Sequence, residues 1–231
     1  SGNTAVGKDA MFAVTTGSDN TCVGKDALLD LTDGTGNTAI GIAAGDNITT
    51  GDYNTFLGRL AGRTTLDVDL AVAIGNGAMG SGNVTAAADG TVAIGSDALA
   101  LLTSGAGNVA IGASALDACT TSGQNTAVGY QALSGATTAV NSTAVGHSAM
   151  SDGTLTGNNN TAVGKNALLK IIGAANCTAV GKSAGEQLEN SADNNTLVGY
   201  DAGAQITSGA SNTCIGKAAG DVITTGANNV A

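Results

Sequence analysis

Apolar and polar residues alternate in one pattern that runs along the whole 231-residue chain. A short group, Thr-Ala-Val or a close variant, ends in a glycine, and the same group then returns after a fixed gap. That glycine falls at Gly7, Gly24, Gly41, Gly58, Gly75, Gly95, Gly112, Gly129, Gly146, Gly164, Gly181, Gly199 and Gly216. Nine of the twelve intervals are 17 residues, two are 18 and one is 20, so thirteen units fill the chain. Asn229-Val230-Ala231 begins another.

Counting the residue before the Thr as position 1 puts the glycine at position 5. Position 4 is Val, Ile or Leu throughout, from Val6 to Ile215, and position 8 is Ala in every unit, from Ala10 to Ala219. Position 9 is Leu or Met in eight units and Gly in five. Many units close with an aliphatic residue, Thr and a turn glycine, as in Ile48-Thr49-Thr50-Gly51.

Thr-Ala-Val has the β-branched content and alternation of a short strand. The glycine behind it suits a corner that needs positive φ or a close backbone approach. A second turn closes the coil. The pattern therefore predicts an all-β fold, a parallel β-solenoid (β-roll) of about 13 coils with 17 residues and two short strands per coil. At an inter-strand spacing of about 4.8 Å such a stack would be roughly 60 Å long. Asn holds position 1 at Asn3, Asn20, Asn37, Asn54, Asn108, Asn125, Asn160, Asn195, Asn212 and Asn229. Its amide is expected to bond to the equivalent amide one coil away, forming a ladder. The extra residues between Gly75 and Gly95, Gly146 and Gly164, and Gly181 and Gly199 should bulge outward as loops. A rival reading makes positions 8 to 12 a helical turn, as over residues 26–31. Strand-plus-helix repeats need about 20 to 29 residues, and glycine at position 9 weakens a helix.

Positions 3 and 4 are neighbours in one strand and point to opposite faces. Both are apolar: position 3 is mostly Ala, with Cys22, Phe56, Leu197 and Cys214 among the rest. One face is expected to line the coil and the other to meet another chain, and small Ala suits the close contact. This predicts self-association as a homotrimer or other bundle. The chain opens and stops within the motif without a capping repeat. Residues 1–231 are thus expected to be one continuous array, a segment of a longer fibre or a unit that stacks end to end.

Composition narrows the picture. Gly is abundant (36), Pro and Trp are absent, and the only aromatics are Phe12, Phe56, Tyr53, Tyr130 and Tyr200, so the core must be narrow. A formal charge of −10 argues against nucleic acid, whose phosphates need a basic surface. No apolar run approaches the 18 or so residues of a membrane span. Cys22, Cys119, Cys177 and Cys214 show no CxxC spacing, so no zinc site is expected.

Asn125-Thr126-Ala127-Val128-Gly129-Tyr130-Gln131-Ala132-Leu133 resembles repeats of phage tail-fibre and bacterial surface-fibre proteins. Val92-Ala93-Ile94-Gly95 and Val109-Ala110-Ile111-Gly112 resemble the repeats of trimeric autotransporter adhesin heads. The resemblance covers the whole chain. It implies a left-handed parallel β-roll assembled as a trimer, and a role in host or matrix attachment at an extracellular, cell-surface or virion location.

Chemistry is sparse. The only histidine, His147, sits at position 6, where other units carry Lys8, Lys25, Arg59, Lys165, Lys182, Lys217, Tyr130 or Tyr200. This row reads as a solvated rim, with acidic glycans or a cell-surface ligand as the sharper alternative. Asp at position 7 occurs only at Asp9, Asp26, Asp97 and Asp201, too irregular for a calcium cage. No phosphate-binding glycine loop is present. Candidate glycosylation sequons start at Asn47, Asn83, Asn141, Asn159, Asn176 and Asn194. No catalysis and no cofactor are expected. The leading expectation is a structural shaft with an adhesive role; the alternative is an ice- or glycan-binding module using flat Thr and Asn ladders. A polysaccharide-cleaving solenoid would need clustered acids in a groove, and none recurs.

Overall fold

The computed structural model describes residues 2–231. Two compact units are present, Ser1–Gly123 and Gln124–Ala231, and each is a parallel β-solenoid. The first carries β1 (Thr4–Val6), β2 (Thr21–Val23), β3 (Thr38–Ile40), β4 (Thr55–Leu57), β5 (Val72–Ile74), β6 (Val92–Ile94) and β7 (Val109–Ile111). The second carries β8 (Thr126–Val128), β9 (Thr143–Val145), β10 (Thr161–Val163), β11 (Thr178–Val180), β12 (Thr196–Val198) and β13 (Thr213–Ile215). Within each unit every strand pairs in parallel with the next, position on position: Cys22 lies opposite both Ala5 and Ala39. The longer repeats keep this register, with Ala73 opposite Ala93, Ala144 opposite Ala162 and Ala179 opposite Leu197. Their extra residues are accommodated away from the strands. Ala86–Ala88 makes a short 3-10 turn, and Glu189, Asn190 and Ser191 stand exposed.

Each coil has one regular strand where the sequence predicts two. Among the described residues the opposite side makes only isolated parallel bridges, Thr65 with Val84 and Ala136 with Leu155. Backbone conformation is the reason. Positions 7 and 9 have positive φ in every coil, as at Asp26 (56°) and Leu28 (51°), so the chain turns there and does not stay extended. These left-handed residues also exclude the helical turn of the rival reading. Each costs a non-glycine residue about 1–2 kcal/mol, offset by bonds between coils. Asp26 donates its N–H to the Lys8 carbonyl of the coil before (2.9 Å), and Leu28 donates to the Ala44 carbonyl of the coil after (3.0 Å). Within three residues one coil is tied to both neighbours.

The two strand faces are the reverse of the expected assignment. Position 3 is the interior: Cys22, Ala39 and Phe56 are each 0% exposed. Position 4 is outside: Val23, Ile40 and Leu57 are 40%, 41% and 43% exposed. Alternation enforces this once position 1 turns inward, because residues two apart share a face. Opposite the Ala row stand the position 8 alanines, buried in all but the first and last coils, with the position 9 Leu or Met and position 12 residues such as Leu31, Ile48 and Leu102, which are buried. These larger chains already fill the space, which is why position 3 is small.

Where position 3 is large, position 9 yields. A Cβ on Gly62 would lie 2.3 Å from the Phe56 ring, and one on Gly45 in the preceding coil 2.6 Å from it. Gly185 and Gly203 make the same room for Leu197, at 2.7 and 2.6 Å, and Gly220 faces the Cys214 sulfur at 2.4 Å. All five position 9 glycines are thus explained by volume. Close packing leaves no room for two large side chains at one level.

Candidate functional site

The strands present one flat outward face in each unit, built of rows that repeat at the coil spacing. In the middle runs the aliphatic row of position 4. In the first unit it includes Val6, Val23, Ile40, Leu57 and Ile111 as exposed residues; in the second it includes Val163, Val180 and Ile215. The Thr row of position 2 lies on one side, exposed at Thr21 and half-buried at Thr38 and Thr55. The row of position 6 lies on the other, beyond the corner glycine. In the second unit this edge is Tyr130, His147, Lys165, Lys182, Tyr200 and Lys217, all exposed. The Tyr130 and His147 rings stand 5.1 Å apart, and the Lys182 and Lys217 ammonium groups lie 5.0 and 5.9 Å from the Tyr200 ring centre.

Behind this face the Asn residues lock the coils. Asn37 Oδ1 accepts the backbone N–H (2.9 Å) and the Nδ2 (3.0 Å) of Asn54, one coil on. Its own Nδ2 donates to Asn20 Oδ1 (3.1 Å) and to the Gly51 carbonyl (2.8 Å). The last bond, which runs across the coil to its second turn, recurs from Asn3 to Gly17 and from Asn212 to Gly226. Neither Ala71 nor Thr91 can continue the ladder, yet the Ala71 N–H still reaches Asn54 Oδ1 (2.8 Å). In the second unit Ser142 and Cys177 take their N–H acceptors from Asn125 and Asn160. The corner glycines have φ between 128° and 147° in all thirteen coils. A Cβ on Gly24 would meet the Gly41 carbonyl oxygen at 2.2 Å, so the corners stack too tightly for any side chain.

A second ladder, invisible in the repeat, is made by carboxylates. Asp52, Asp69 and Asp89 accept the backbone N–H groups of Thr35, Asp52 and Asp69 at 2.7, 2.7 and 2.8 Å. Asp193 does the same for Ala175 at 2.8 Å. Aspartate thus serves the backbone here, and among the described residues no group of His, Cys, Asp or Glu is arranged to hold a metal.

One carboxyl is poorly served. Asp46 has its side chain 16% exposed, its Oδ1 without a hydrogen-bond partner, and Oδ2 3.8 Å from Arg63 Nε. Burial pushes its pKa up to about 6, the Arg63 guanidinium pulling down and Asp30 pushing up. The folded chain therefore holds this proton more tightly than the unfolded chain does. The group costs no stability below about pH 4 and a growing amount as pH rises through 6. Asp46→Asn is expected to raise the unfolding midpoint at pH 8, on the order of 1 kcal/mol after solvent screening, and to leave it unchanged at pH 4. Urea unfolding at the two pH values checks this.

The His147 ring bonds to Ser148 Oγ (2.9 Å) and lies tilted against Tyr130, and among the described residues no carboxylate is paired with it. Burial pushes the thiols of Cys22, Cys119, Cys177 and Cys214 up, and they act as small core residues rather than at the contact face. Asn141, Asn159, Asn176 and Asn194 all stand exposed at position 17 with positive φ. Their sequons follow from coil geometry: Asn suits the left-handed backbone, and the Thr two residues on opens the strand. Asn83 is exposed in the longest repeat, while Asn47 is half-buried. Among the described residues no helix is long and apolar enough to cross a membrane. No family model matches the chain, and neither does any curated protein or solved structure.

Proposed function

We propose that the protein is a structural segment of an extracellular or virion fibre, with an adhesive rather than catalytic role. In this reading it associates with copies of itself through the position 4 row. The observation that carries the reading is that row: an unbroken line of Val, Ile and Leu along each unit's strands, facing out. A contiguous apolar stripe of this kind marks an interaction surface. Its spacing is that of the coils, so the partner whose apolar groups fall in step is a second copy. Homo-oligomers commonly bury such self-complementary faces, closing as dimers or trimers. The expected contact thus moves from the Ala row to the Val row, and a bundle remains the assembly. The likeness of the repeat to tail-fibre and adhesin sequences supports the same location and role.

Light scattering tests the reading. The native protein is expected at a multiple of 22.0 kDa. Ile40→Lys with Val163→Lys places one charge on the outward row of each unit. Both sites are exposed, so folding is expected to change by less than about 0.5 kcal/mol, while association falls at least tenfold. A native mass of one chain sinks the reading, as does a bundle that tolerates both lysines.

A further inference from the structure

We propose that the position 6 edge of the second unit binds a linear acidic polysaccharide. Six consecutive coils place Tyr130, His147, Lys165, Lys182, Tyr200 and Lys217 in one exposed line. The residue that follows each lysine decides whether its charge is free. In the first unit Lys8 is followed by Asp9 and paired with it (2.7 Å), and Lys25 is likewise paired with Asp26. In the second unit the lysines are followed by Asn166, Ser183 and Ala218, and among the described residues none of the three has an ion pair. The same sequence position therefore carries neutralised lysines in one unit and uncompensated ones in the other.

The aromatic rings complete the recognition chemistry. Lys182 and Lys217 flank the Tyr200 ring from the coils on either side, at 5.0 and 5.9 Å. Tyr and its neighbouring cations thus hold one another in place. Two ammonium groups held about a tyrosine, whose hydroxyl can bond a sugar hydroxyl, suit a sugar ring that bears a carboxylate or sulfate. Coils repeat at about 4.8 Å, close to the advance per residue of an extended pyranose chain. Successive sugars thus meet successive coils, with ammonium groups opposite their acids. Nucleic acid fits less well. Its phosphates are spaced farther apart than the coils, so successive phosphates fall out of step with the lysines. The proposal does not rest on self-association, since this edge lies beside the Val row and not on it.

The full-length protein is titrated with mannuronate-rich alginate, with dextran and a single-stranded oligonucleotide as comparators. Alginate is expected to bind, more weakly as salt rises, and dextran not to bind. Lys165→Gln, Lys182→Gln and Lys217→Gln together should weaken binding about tenfold or more, through loss of three charge-assisted contacts. Tyr200→Ala should weaken it several-fold, and Lys8→Gln with Lys25→Gln should leave it unchanged. Light scattering of the triple variant is expected to give the native mass. The proposal is overturned by no alginate binding, by equal loss in the first-unit control, or by tighter binding of the oligonucleotide. A fall in the mass of the triple variant also overturns it, because the edge would then be part of the contact between copies.

Discussion

Gly41→Ala is expected to destroy local order around its coil, at a cost above about 4 kcal/mol. Two effects add. The φ of Gly41 is 138°, a region that side-chain-bearing residues rarely enter. A Cβ there would also lie 2.4 Å from the Gly58 carbonyl oxygen and 2.6 Å from its carbon, both rigid backbone. Neither can give without breaking the bond from the Gly58 N–H to the Ile40 carbonyl (2.8 Å). Gly90→Ala is the internal control. Gly90 has φ 68° with nothing within 4 Å of the added carbon, and an ordinary left-handed cost near 1 kcal/mol is expected. Urea midpoints for the two variants check the contrast. Equal effects at the two sites would refute the stacked-corner account.

Asn37→Ala is expected to cost roughly 3 kcal/mol or more, from groups left buried and unpaired. The Asn54 N–H and Nδ2 lose the acceptor Asn37 Oδ1, and the Gly51 carbonyl loses the donor Asn37 Nδ2. Asn54 keeps one partner, the Val68 carbonyl at 2.7 Å, so its amide is not wholly orphaned. Asn37→Asp is expected to be worse at neutral pH, since it keeps the acceptor but sets a buried carboxylate against the Gly51 carbonyl. Hydrogen exchange is the sharper readout. In a solenoid each coil contacts only its neighbours, so protection should fall at Thr38 and Asn54 and persist at Val92, whose N–H bonds the Asn108 carbonyl. Uniform loss of protection along the first unit would contradict a nearest-neighbour ladder.

The period, the strand at Thr-Ala-Val and the glycine corner were legible because each is a residue type repeated at one position. The Asn ladder was legible for the same reason. Its bond to the second turn was not, because the acceptor is a backbone carbonyl that Gly51, Val68 and Ser122 offer equally well. The inward face was decidable but ambiguous. Ala39 and Ile40 are both apolar, and only the parity that places Ala39 with the buried Asn37 separates them. The second strand failed for a different reason. Leu28, Met79 and Ser183 are not residues that announce positive φ, and bonds between coils hold them there. The basic edge was visible as a row, and its division into paired and unpaired lysines follows the next residue, Asp9 and Asp26 against Asn166, Ser183 and Ala218, once the side-chain contacts are seen.

Phe56 occupies space that belongs to two coils, and this bears on how such an array grows and shrinks. Repeats gain and lose units by unequal exchange, and most units here are interchangeable parts. Excising the unit of Ala93 and Leu99 would set Ala73 and Met79 beside Ala110 and Leu116, like against like. Excising the unit of Ala39 and Gly45 would drive Leu28 into the ring of Phe56, since Gly45 is what separates them. The heritable block around Phe56 is therefore at least two units long. The same holds for Leu197 with Gly185 and Gly203. Length variants of this array should keep the glycine-flanked pairs whole and differ in the Ala-and-Leu units between them.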